Sequence, residues 1–235
     1  MRTCFLVLAN TSSEESSRLA LSSLINLNSH DPDADIFLID SAVNQCEGVD
    51  KLDFVKYISL EQLNSNVAAV ARSHFSKTHR DCQSLLEFLR HYKKELEEQY
   101  DFVTKIDSDR LLDSSFGREF IPANRNKFIL KIPSALDYEH LFPSFKSVVP
   151  DDFVIGGKLW GFNHILQSWG IEKNDVMQLM FKLMCQQTET TSSKYWAMDI
   201  GYFLYNFLFK FKLLEDVIVA DCNLYGFGNG GLFLE

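Results

Sequence analysis

Short apolar runs alternate with amphipathic stretches along most of the chain. An apolar run with few polar interruptions is typical of a strand buried on both faces of a sheet, whereas apolar residues at every third or fourth position predict a helix. This alternation predicts an α/β fold, a single domain with a mostly parallel central sheet flanked by helices. We predict strands at Cys4–Ala9, Ile36–Ile39, Phe54–Ile58, Phe102–Ile106, Lys127–Ile132, Phe153–Ile155 and Val217–Ala220.

The polar segment after the first strand has the residues that begin a helix. Thr11 or Ser12, with a glutamate three residues later, forms a capping box. The apolar positions that follow predict one buried face, made of Leu19, Leu21, Leu24, Ile25 and Leu27. Further helices are predicted from Asn64 to Arg72, over Cys82–Tyr100, over Asp175–Cys185 and, in the core or at a membrane surface, over Ile200–Leu214.

The size and composition of the chain fit one globular domain. Its 235 residues are 46% hydrophobic and 23% charged. A proline-containing stretch without periodicity, after residue 132, divides the domain into a half over residues 1–132 and a half over residues 133–235. The segment Asp221–Glu235, which is rich in glycine, is predicted to be a flexible tail.

The charge balance bears on the class of partner. With 32 Asp and Glu against 23 Lys and Arg, the formal charge is −9. Such a chain lacks an overall attraction for nucleic acid, which disfavours a nucleic-acid acceptor without ruling one out. One cluster is locally basic, and it contains Arg72, His74, Lys77, His79 and Arg80.

The cysteines indicate a reducing compartment. The five of them are scattered and odd in number, which argues against a disulfide framework. The first apolar run is too short for the core of a signal peptide, and no run approaches the roughly 18 apolar residues of a membrane span. We therefore expect a cytoplasmic protein without a transmembrane segment, with peripheral contact to a membrane as the alternative.

Two carboxylates lie where the predicted strand Phe102–Ile106 ends. Residues i and i+2 of an extended chain point to the same side, so Asp107 and Asp109 can converge on one cation while Ser108 points away. Carboxylate oxygens suit Mg²⁺ or Mn²⁺, which keep open positions for phosphate oxygens. The other interpretation is a solvated turn, in which Asp and Ser are common.

Polar residues after the first two strands belong to the same edge of the predicted sheet. Asn10 and Thr11 follow the first strand, and Asp40 follows the second. Ligands of parallel α/β sheets bind beyond the carboxyl ends of the strands. Asp40 either holds a nucleotide through hydrogen bonds or caps the next turn, and the sequence leaves both interpretations open.

The segment Ile106-Asp107-Ser108-Asp109, after its apolar strand, resembles the Asp-X-Asp motif of nucleotide-sugar-dependent glycosyltransferases of the GT-A fold. The pattern Asn66, Ala69, Ala71, Arg72 is similar to a segment of family 2 of these enzymes, with Val67-Ala68 where a glycine is usual. The resemblance implies a Rossmann-like GT-A domain, with Mn²⁺ or Mg²⁺ held by Asp107 and Asp109. It also implies a nucleotide-sugar site made of Ala9, Asn10, Thr11, Asp40, Arg72, Lys105, Asp107 and Ser108.

Two later segments resemble the acceptor side of the same enzymes. Gly156, Gly157 and Trp160 resemble the glycine pair and the aromatic residue of an acceptor and sugar pocket, although a tight turn or β-bulge would use the same residues. Asp199 resembles the acid at which inverting family 2 enzymes place their catalytic base; an acid favoured by the helix dipole is the alternative. Residues 1–132 would then be the donor half and residues 133–235 the acceptor half.

The function expected from these features is transfer of a sugar from a nucleotide diphosphate sugar, with UDP as the expected nucleotide, to a hydroxyl of a glycan or another acceptor. Inversion at the anomeric carbon is expected if Asp199 is the base, and retention otherwise. Two other functions stay open, a nucleotidyltransferase that acts on a sugar phosphate and a nucleotide- or carbohydrate-binding module without catalysis. Against the first, the loop Asn10-Thr11-Ser12-Ser13 lacks the glycines usual in nucleotidyltransferases.

Overall fold

The computed structural model describes residues 1–42, 48–74, 77–116, 124–130, 166–190, 204, 207–208, 210–220, 224–228 and 231–234. Its strands are β1 (Thr3–Ala9), β2 (Asp35–Asp40), β3 (Val55–Ser59), β4 (Phe102–Asp107), β5 (Arg110–Leu112), β6 (Phe128–Leu130), β7 (Gln167–Gly170), β8 (Val217–Val219), β9 (Leu224–Gly228) and β10 (Gly231–Leu234). Its helices are α1 (Glu14–His30), α2 (Leu60–Leu63), α3 (Ser65–His74), α4 (Lys77–His91), α5 (Lys93–Gln99) and α6 (Asn174–Thr190). Short 3-10 helices cover Val49–Lys51, Ile171–Lys173 and Leu214–Asp216.

The central sheet has seven strands in the order β3-β2-β1-β4-β7-β6-β8. Neighbouring strands are parallel except where β7 pairs with β4 and with β6. β1 is buried along its whole length, which agrees with its uninterrupted apolar sequence. The predicted α/β architecture with a mostly parallel sheet is confirmed, whereas the division into halves at residue 132 stays a prediction.

Apolar side chains cover both faces of this sheet. On one face, Ala20 and Leu24 of α1 pack with alternate residues of β1 and β2. On the other face, Leu85 and Phe88 of α4 and Met180 of α6 pack with the remaining residues of the same strands. Because successive side chains of a strand point to opposite faces, β1 contributes to two cores.

The cap of α1 differs from the prediction. Its N-cap is Ser13, whose side chain accepts a hydrogen bond from the backbone N–H of Ser16 and completes a capping box with that residue. The prediction of Thr11 or Ser12 was wrong because the Thr11 hydroxyl donates to the carboxylate of Asp40 instead. The loop between β1 and α1 is therefore fastened to the end of β2.

The buried face of α1 also differs. Leu24 and Leu27 are buried as predicted, but Ile25 is 55% exposed. Leu19 and Leu21 are only partly buried. The other buried positions carry small side chains, which let the helix lie close to the strands and which a leucine pattern does not reveal: Ser17, Ala20 and Ser23.

The predicted helix Cys82–Tyr100 is two helices in the structure. α4 already begins at Lys77, and α5 follows after Tyr92, whose backbone at φ −97° and ψ 10° interrupts the regular helix. The ring of Tyr92 stacks on Phe88 with centroids 4.7 Å apart and lies 6.0 Å from the ring of Phe37 in β2. The residue at which the helix is interrupted therefore packs its ring against the central sheet.

Strand β7 was not predicted, because the sequence Gln167–Gly170 contains no apolar run. It runs antiparallel between β4 and β6 within the central sheet. Trp169 is fully buried, and its indole N–H donates to the side-chain oxygen of Asn174 at 3.3 Å. This segment forms a strand because it pairs with β4 and β6, and its own residue pattern does not indicate a strand.

The C-terminal residues form part of a second, three-stranded sheet. β9 and β10 pair as a hairpin, and β9 pairs antiparallel with β5. The prediction of a flexible tail was wrong, because three of its glycines, Gly226, Gly228 and Gly231, lie in strands. On its other side β5 contacts α1, where the Asn26 side chain exchanges two hydrogen bonds with the backbone of Leu112, at 2.8 and 3.0 Å.

Two further predictions can be compared only in part. The predicted strand Phe153–Ile155 lies outside the described residues. Within the predicted helix Ile200–Leu214, Leu204, Phe207 and Leu208 are helical and buried, as expected for a helix of the core. The predicted end was wrong, because Lys212 has a φ of +56°, the chain turns at residues 211–212, and Leu214 begins a 3-10 helix. Among the residues that the structure describes, no helix has the length and apolar character needed to cross a membrane.

Candidate functional site

The turn Asp107–Ser108–Asp109 joins the two sheets. β4 of the central sheet ends at Asp107, and β5 of the small sheet begins at Arg110. The backbone N–H of Ser108 donates to the carbonyl of Leu8 in β1 at 3.0 Å. The side chains of Asp107 and Asp109 remain 27% and 37% exposed. The turn thus presents two carboxylates at the carboxyl edge of the parallel strands, where ligands of such sheets bind.

Each carboxylate of this turn has a cationic neighbour. Nζ of Lys105 lies 2.6 Å from Oδ1 of Asp107. The Arg110 guanidinium lies 3.2 Å from Oδ1 of Asp109 and also donates to the Asp109 carbonyl at 3.1 Å. Both cationic side chains are 2% exposed. The formal charges of the four side chains cancel, and the contacts fix the orientation of both carboxylates.

The residues after β1 line the same edge. The carbonyl of Ala9 accepts hydrogen bonds from the backbone N–H and the hydroxyl of Ser41, at 3.0 and 3.3 Å. The side-chain oxygen of Asn10 is enclosed and has no hydrogen-bond partner among the described residues. An enclosed acceptor without a donor is costly, so Asn10 is suited to accept a hydrogen bond from a bound molecule.

Asp40 organises the loops at the ends of β1 and β2. It is fully buried, and it accepts hydrogen bonds from the backbone N–H groups of Thr11 (3.2 Å) and Ala42 (2.9 Å). The hydroxyls of Thr11 and Tyr57 donate to its other oxygen, the latter at 3.1 Å. This geometry agrees with the capping interpretation of Asp40. The roles of Asp40 and Thr11 in nucleotide binding stay predictions.

The side chains of the turn are of the kind that a divalent cation takes as ligands. Within the described parts of the chain, no three or more His, Cys, Asp or Glu side chains form a group that could hold a metal. Asp107 and Asp109 offer carboxylate oxygens, and Mg²⁺ commonly takes one or two carboxylates together with phosphate oxygens and water. By number and chemistry, two carboxylates are compatible with a cation whose remaining ligands are phosphate oxygens and water.

The remaining predicted site residues are not located by the structure. Gly156, Gly157, Trp160 and Asp199 lie outside the described residues, so the acceptor pocket and the catalytic base stay predictions. The backbone of Arg72 belongs to α3, and its side chain is not described. The side chains that the structure describes are those predicted for the donor side, without that of Arg72.

Three residues beside the site were not singled out from the sequence. Ser41 and Tyr57 reach it through the loop that Asp40 holds. Gln167 lies opposite Lys105 in the pairing of β7 with β4. The order of the predicted strands β1, β2 and β3 could have indicated that Tyr57 lies near the site. Nothing in the sequence indicated that Gln167 does, because β7 was not predicted.

Comparison with known proteins finds similarity in structure only. No protein-family model matches the chain, and no curated protein matches it. The galactosyltransferase LgtC, solved with donor and acceptor sugar analogs, is 14% identical, with a TM-score of 0.49 over 92% of this chain and 73% of LgtC. Mouse xyloside xylosyltransferase 1 is 12% identical, with a TM-score of 0.48 over 94% of this chain and 86% of its own.

The bifunctional glycosyltransferase WbbM, in its apo form, gives a TM-score of 0.50 at 15% identity. The alignment covers 93% of this chain and 38% of WbbM. A similarity at this level of identity concerns the fold. The GT-A-like fold predicted from the sequence is thereby confirmed.

Proposed function

We propose that this protein is a metal-dependent glycosyltransferase, which moves a sugar from a nucleotide diphosphate sugar to an acceptor hydroxyl. The observation that carries the proposal is the turn of Asp107 and Asp109, two partly exposed and oriented carboxylates at the carboxyl edge of the central sheet. This edge is the ligand-binding side of parallel α/β sheets, and the fold is one that solved glycosyltransferases share.

The described residues would place the donor. Asp107 and Asp109 would hold Mn²⁺ or Mg²⁺, which when bound offsets the negative charge of the diphosphate leaving group. Asn10 would accept a hydrogen bond from the nucleotide with its side-chain oxygen, which has no partner among the described residues. Arg72 would neutralise a phosphate, since a guanidinium matches phosphate oxygens. Asp40 would act through the loop that it holds.

The proposed reaction inverts the configuration of the anomeric carbon. The acceptor oxygen bonds to that carbon while the bond from the carbon to the diphosphate oxygen breaks. The electron pair of the broken bond leaves with the nucleoside diphosphate, and the proton of the acceptor hydroxyl passes to Asp199 as general base. Gly156, Gly157 and Trp160 would form the acceptor and sugar pocket. Retention is the alternative if Asp199 is not the base.

We propose a UDP-sugar as the donor and a glycan or another hydroxyl compound as the acceptor. The formal charge of −9 disfavours a nucleic-acid acceptor. We further propose a cytoplasmic location, because Cys4 is a buried free thiol and the odd, scattered cysteines offer no disulfide framework.

Thermal unfolding with nucleotides and nucleotide sugars tests the proposal. A ligand at about a hundred times its dissociation constant stabilises the folded state by about 2.7 kcal/mol, which is visible as a shift of the unfolding midpoint. We expect UDP or a UDP-sugar to give this shift only when Mn²⁺ or Mg²⁺ is present. Asp109→Asn should abolish the metal-dependent shift and the transfer, while the free protein stays folded because the Asp109 side chain is 37% exposed.

Asp53→Asn is the matched control. Asp53 is an exposed acid just before β3, at the amino edge of the parallel strands and so opposite to the site. Its removal should leave the shift intact. Free pyrophosphate from a nucleoside triphosphate would identify a nucleotidyltransferase, and a metal-dependent shift without transfer to any acceptor would identify a binding module. The absence of a shift with every nucleoside diphosphate and nucleotide sugar would overturn the proposal.

A further inference from the structure

Lys105 is a charged side chain in the interior of the central sheet. It lies in β4 and is 2% exposed. Because side chains alternate along a strand, Lys105 shares a face with Val103, which packs in an apolar core. A buried ammonium is tolerated only where it is paired, and the contact between Nζ and Oδ1 of Asp107 at 2.6 Å supplies a pair.

Gln167 lies directly opposite Lys105 on the neighbouring strand β7. Directly paired residues point to the same face of a sheet, so the two side chains are neighbours. Gln167 is 1% exposed, and its Oε1 has no hydrogen-bond partner in the described part of the chain. The neighbouring pair, Thr104 and Ser168, points to the opposite face of the sheet. These two side chains are hydrogen-bonded to each other, since the Thr104 hydroxyl donates to that of Ser168 at 2.8 Å.

These two observations are explained together if the Lys105 ammonium has two positions. An ammonium has three N–H donors. Directly opposed side chains have Cβ atoms about 5 Å apart, a distance that the four-carbon lysine stem can span. In the structure the ammonium contacts Asp107. A second acceptor, Oε1 of Gln167 on the paired residue of β7, is buried and has no donor among the described residues.

We propose that Lys105 is a displaceable counter-ion of Asp107. The inference rests on the proposed function: when a divalent cation carried by a nucleoside diphosphate binds Asp107, the ammonium moves to Oε1 of Gln167. The cation and the ammonium compete for one carboxylate, so the move removes a repulsion and satisfies a buried acceptor. Gln167 is then a positioning residue, which acts through Lys105.

The charges of the turn set the order of binding. Lys105 and Arg110 cancel the formal charges of Asp107 and Asp109, so the turn attracts a free divalent cation weakly. A nucleoside diphosphate brings the negative charge that the turn lacks. Mn²⁺ alone therefore binds poorly, and Mn²⁺ together with UDP binds well.

The electron paramagnetic resonance signal of free Mn²⁺ measures this binding without reference to activity. In the wild-type protein we expect UDP to strengthen Mn²⁺ binding. Gln167→Met replaces the amide by an apolar side chain of similar length, and it should weaken Mn²⁺ binding in the presence of UDP about tenfold, the size of one hydrogen bond to a charged group. The free variant should be at least as stable as the wild type, because the unpartnered acceptor is gone.

Ser168→Ala is the matched control on the next residue of β7. It removes the polar contact with Thr104 on the opposite face, so it should lower stability and leave Mn²⁺ binding unchanged. Lys105→Met is a second, independent measurement, in which Mn²⁺ binding without nucleotide should strengthen because the competitor is absent. An unchanged affinity in Gln167→Met, or weaker binding without nucleotide in Lys105→Met, would overturn the inference.

The same titrations separate failure of this inference from failure of the proposed function. If the wild-type protein and Gln167→Met bind Mn²⁺ equally well in the presence of UDP, the displacement of Lys105 is refuted and the proposed function is not affected. If the wild-type protein binds Mn²⁺ neither alone nor with UDP or another nucleoside diphosphate, the proposed function fails and the inference fails with it.

Discussion

At Gly170, the last residue of β7, two backbone segments nearly touch. A Cβ at this position would lie 1.8 Å from the carbonyl oxygen of Arg125, and the Gly170 N–H donates to the carbonyl of Lys127 at 2.8 Å. Because the obstacle is backbone, a side chain cannot simply turn away. We expect Gly170→Ala to lower the free energy of unfolding in urea by about 3 kcal/mol, the upper part of the usual range for overpacking.

Gly48→Ala distinguishes this crowding from a general effect of removing a glycine. Gly48 has φ of +89°, and the nearest atom to an added Cβ is Cδ1 of Leu21 at 3.5 Å. Its cost should come from the backbone conformation alone, about 1 kcal/mol. Equal losses in the two variants would contradict the crowding at Gly170.

At the amino edge of the central sheet, the carboxylate of Asp216 connects three segments of the chain, those just before β8, after β7 and before β6. Asp216, just before β8, lies 2.6 Å from Nζ of Lys173 in the 3-10 helix after β7, and 3.3 Å from Nζ of Lys127, just before β6. The hydrogen bond from Lys173, with a further contribution from Lys127, holds the pKa of Asp216 below its ordinary value of 3.8. The charged form of Asp216 therefore stabilises the fold.

This pKa gives a pH dependence with a definite sign. A carboxyl group with a depressed pKa in the folded state stabilises the fold above its unfolded pKa, and the effect is lost as the pH falls through the folded value. We expect Asp216→Asn to be less stable than the wild type at pH 7 and the difference to shrink below about pH 4. Urea unfolding of the wild type and of Asp216→Asn at several pH values measures the difference in stability at pH 7 and its decrease at low pH.

Asp175→Asn is the control for the pH series. Asp175 also contacts a lysine, Lys93, at 2.6 Å, but its side chain is 73% exposed. Exposed ion pairs contribute little to stability, so the variant should differ from the wild type only slightly at every pH. A gap between Asp216→Asn and the wild type that persists unchanged at low pH would show that packing, and not charge, accounts for it.

For the molecule as a whole, the sequence predicted the elements whose signal is local. β1, β2 and β4 lie close to their predicted bounds, because a strand buried on both faces is a continuous apolar run. β5, β7 and β9 were missed because each pairs with a strand far away in the sequence, and β10 was missed together with its hairpin partner β9. Local pattern is sufficient for the parallel strands of the central sheet, including β8, and insufficient for β7 and for the small sheet.

The candidate site follows the same rule. The position of Asp107 and Asp109 at the end of β4 could be predicted, because it needs only a strand followed by acids. The burial of Asp40 under Thr11 depends on how the ends of β1 and β2 meet. The proximity of Gln167 to Lys105 depends on the register of an unrecognised strand. Contacts between distant segments were therefore beyond the sequence analysis.

Removal of residues 222–235 tests how the two sheets depend on one another. The deletion takes away β9 and β10 and leaves the strands of the central sheet in place. β5 begins directly after Asp109 and would then be held mainly by its hydrogen bonds to α1. We expect the truncated protein to fold with a lower unfolding midpoint and, if the proposed function holds, to lose most of the shift proposed for Mn²⁺ with UDP.

Circular dichroism in the far ultraviolet serves as the control, since it reports whether the central sheet and its helices have formed. A truncated protein with native-like secondary structure and a full shift with Mn²⁺ and UDP would show that the turn does not need the small sheet. A protein without native-like secondary structure would show that the hairpin supports the whole fold.

The pairing of β5 with β9 also has a consequence for biosynthesis. Arg110 pairs with Gly226, which the ribosome adds far later. Because the chain is synthesised from its N-terminus, β1 to β4 are complete well before β9 exists. The segment that follows Asp109 has to wait for the hairpin to emerge. Nascent chains released before β9 is made would carry both aspartates without the small sheet, so the turn would reach its final arrangement only after the hairpin has been synthesised.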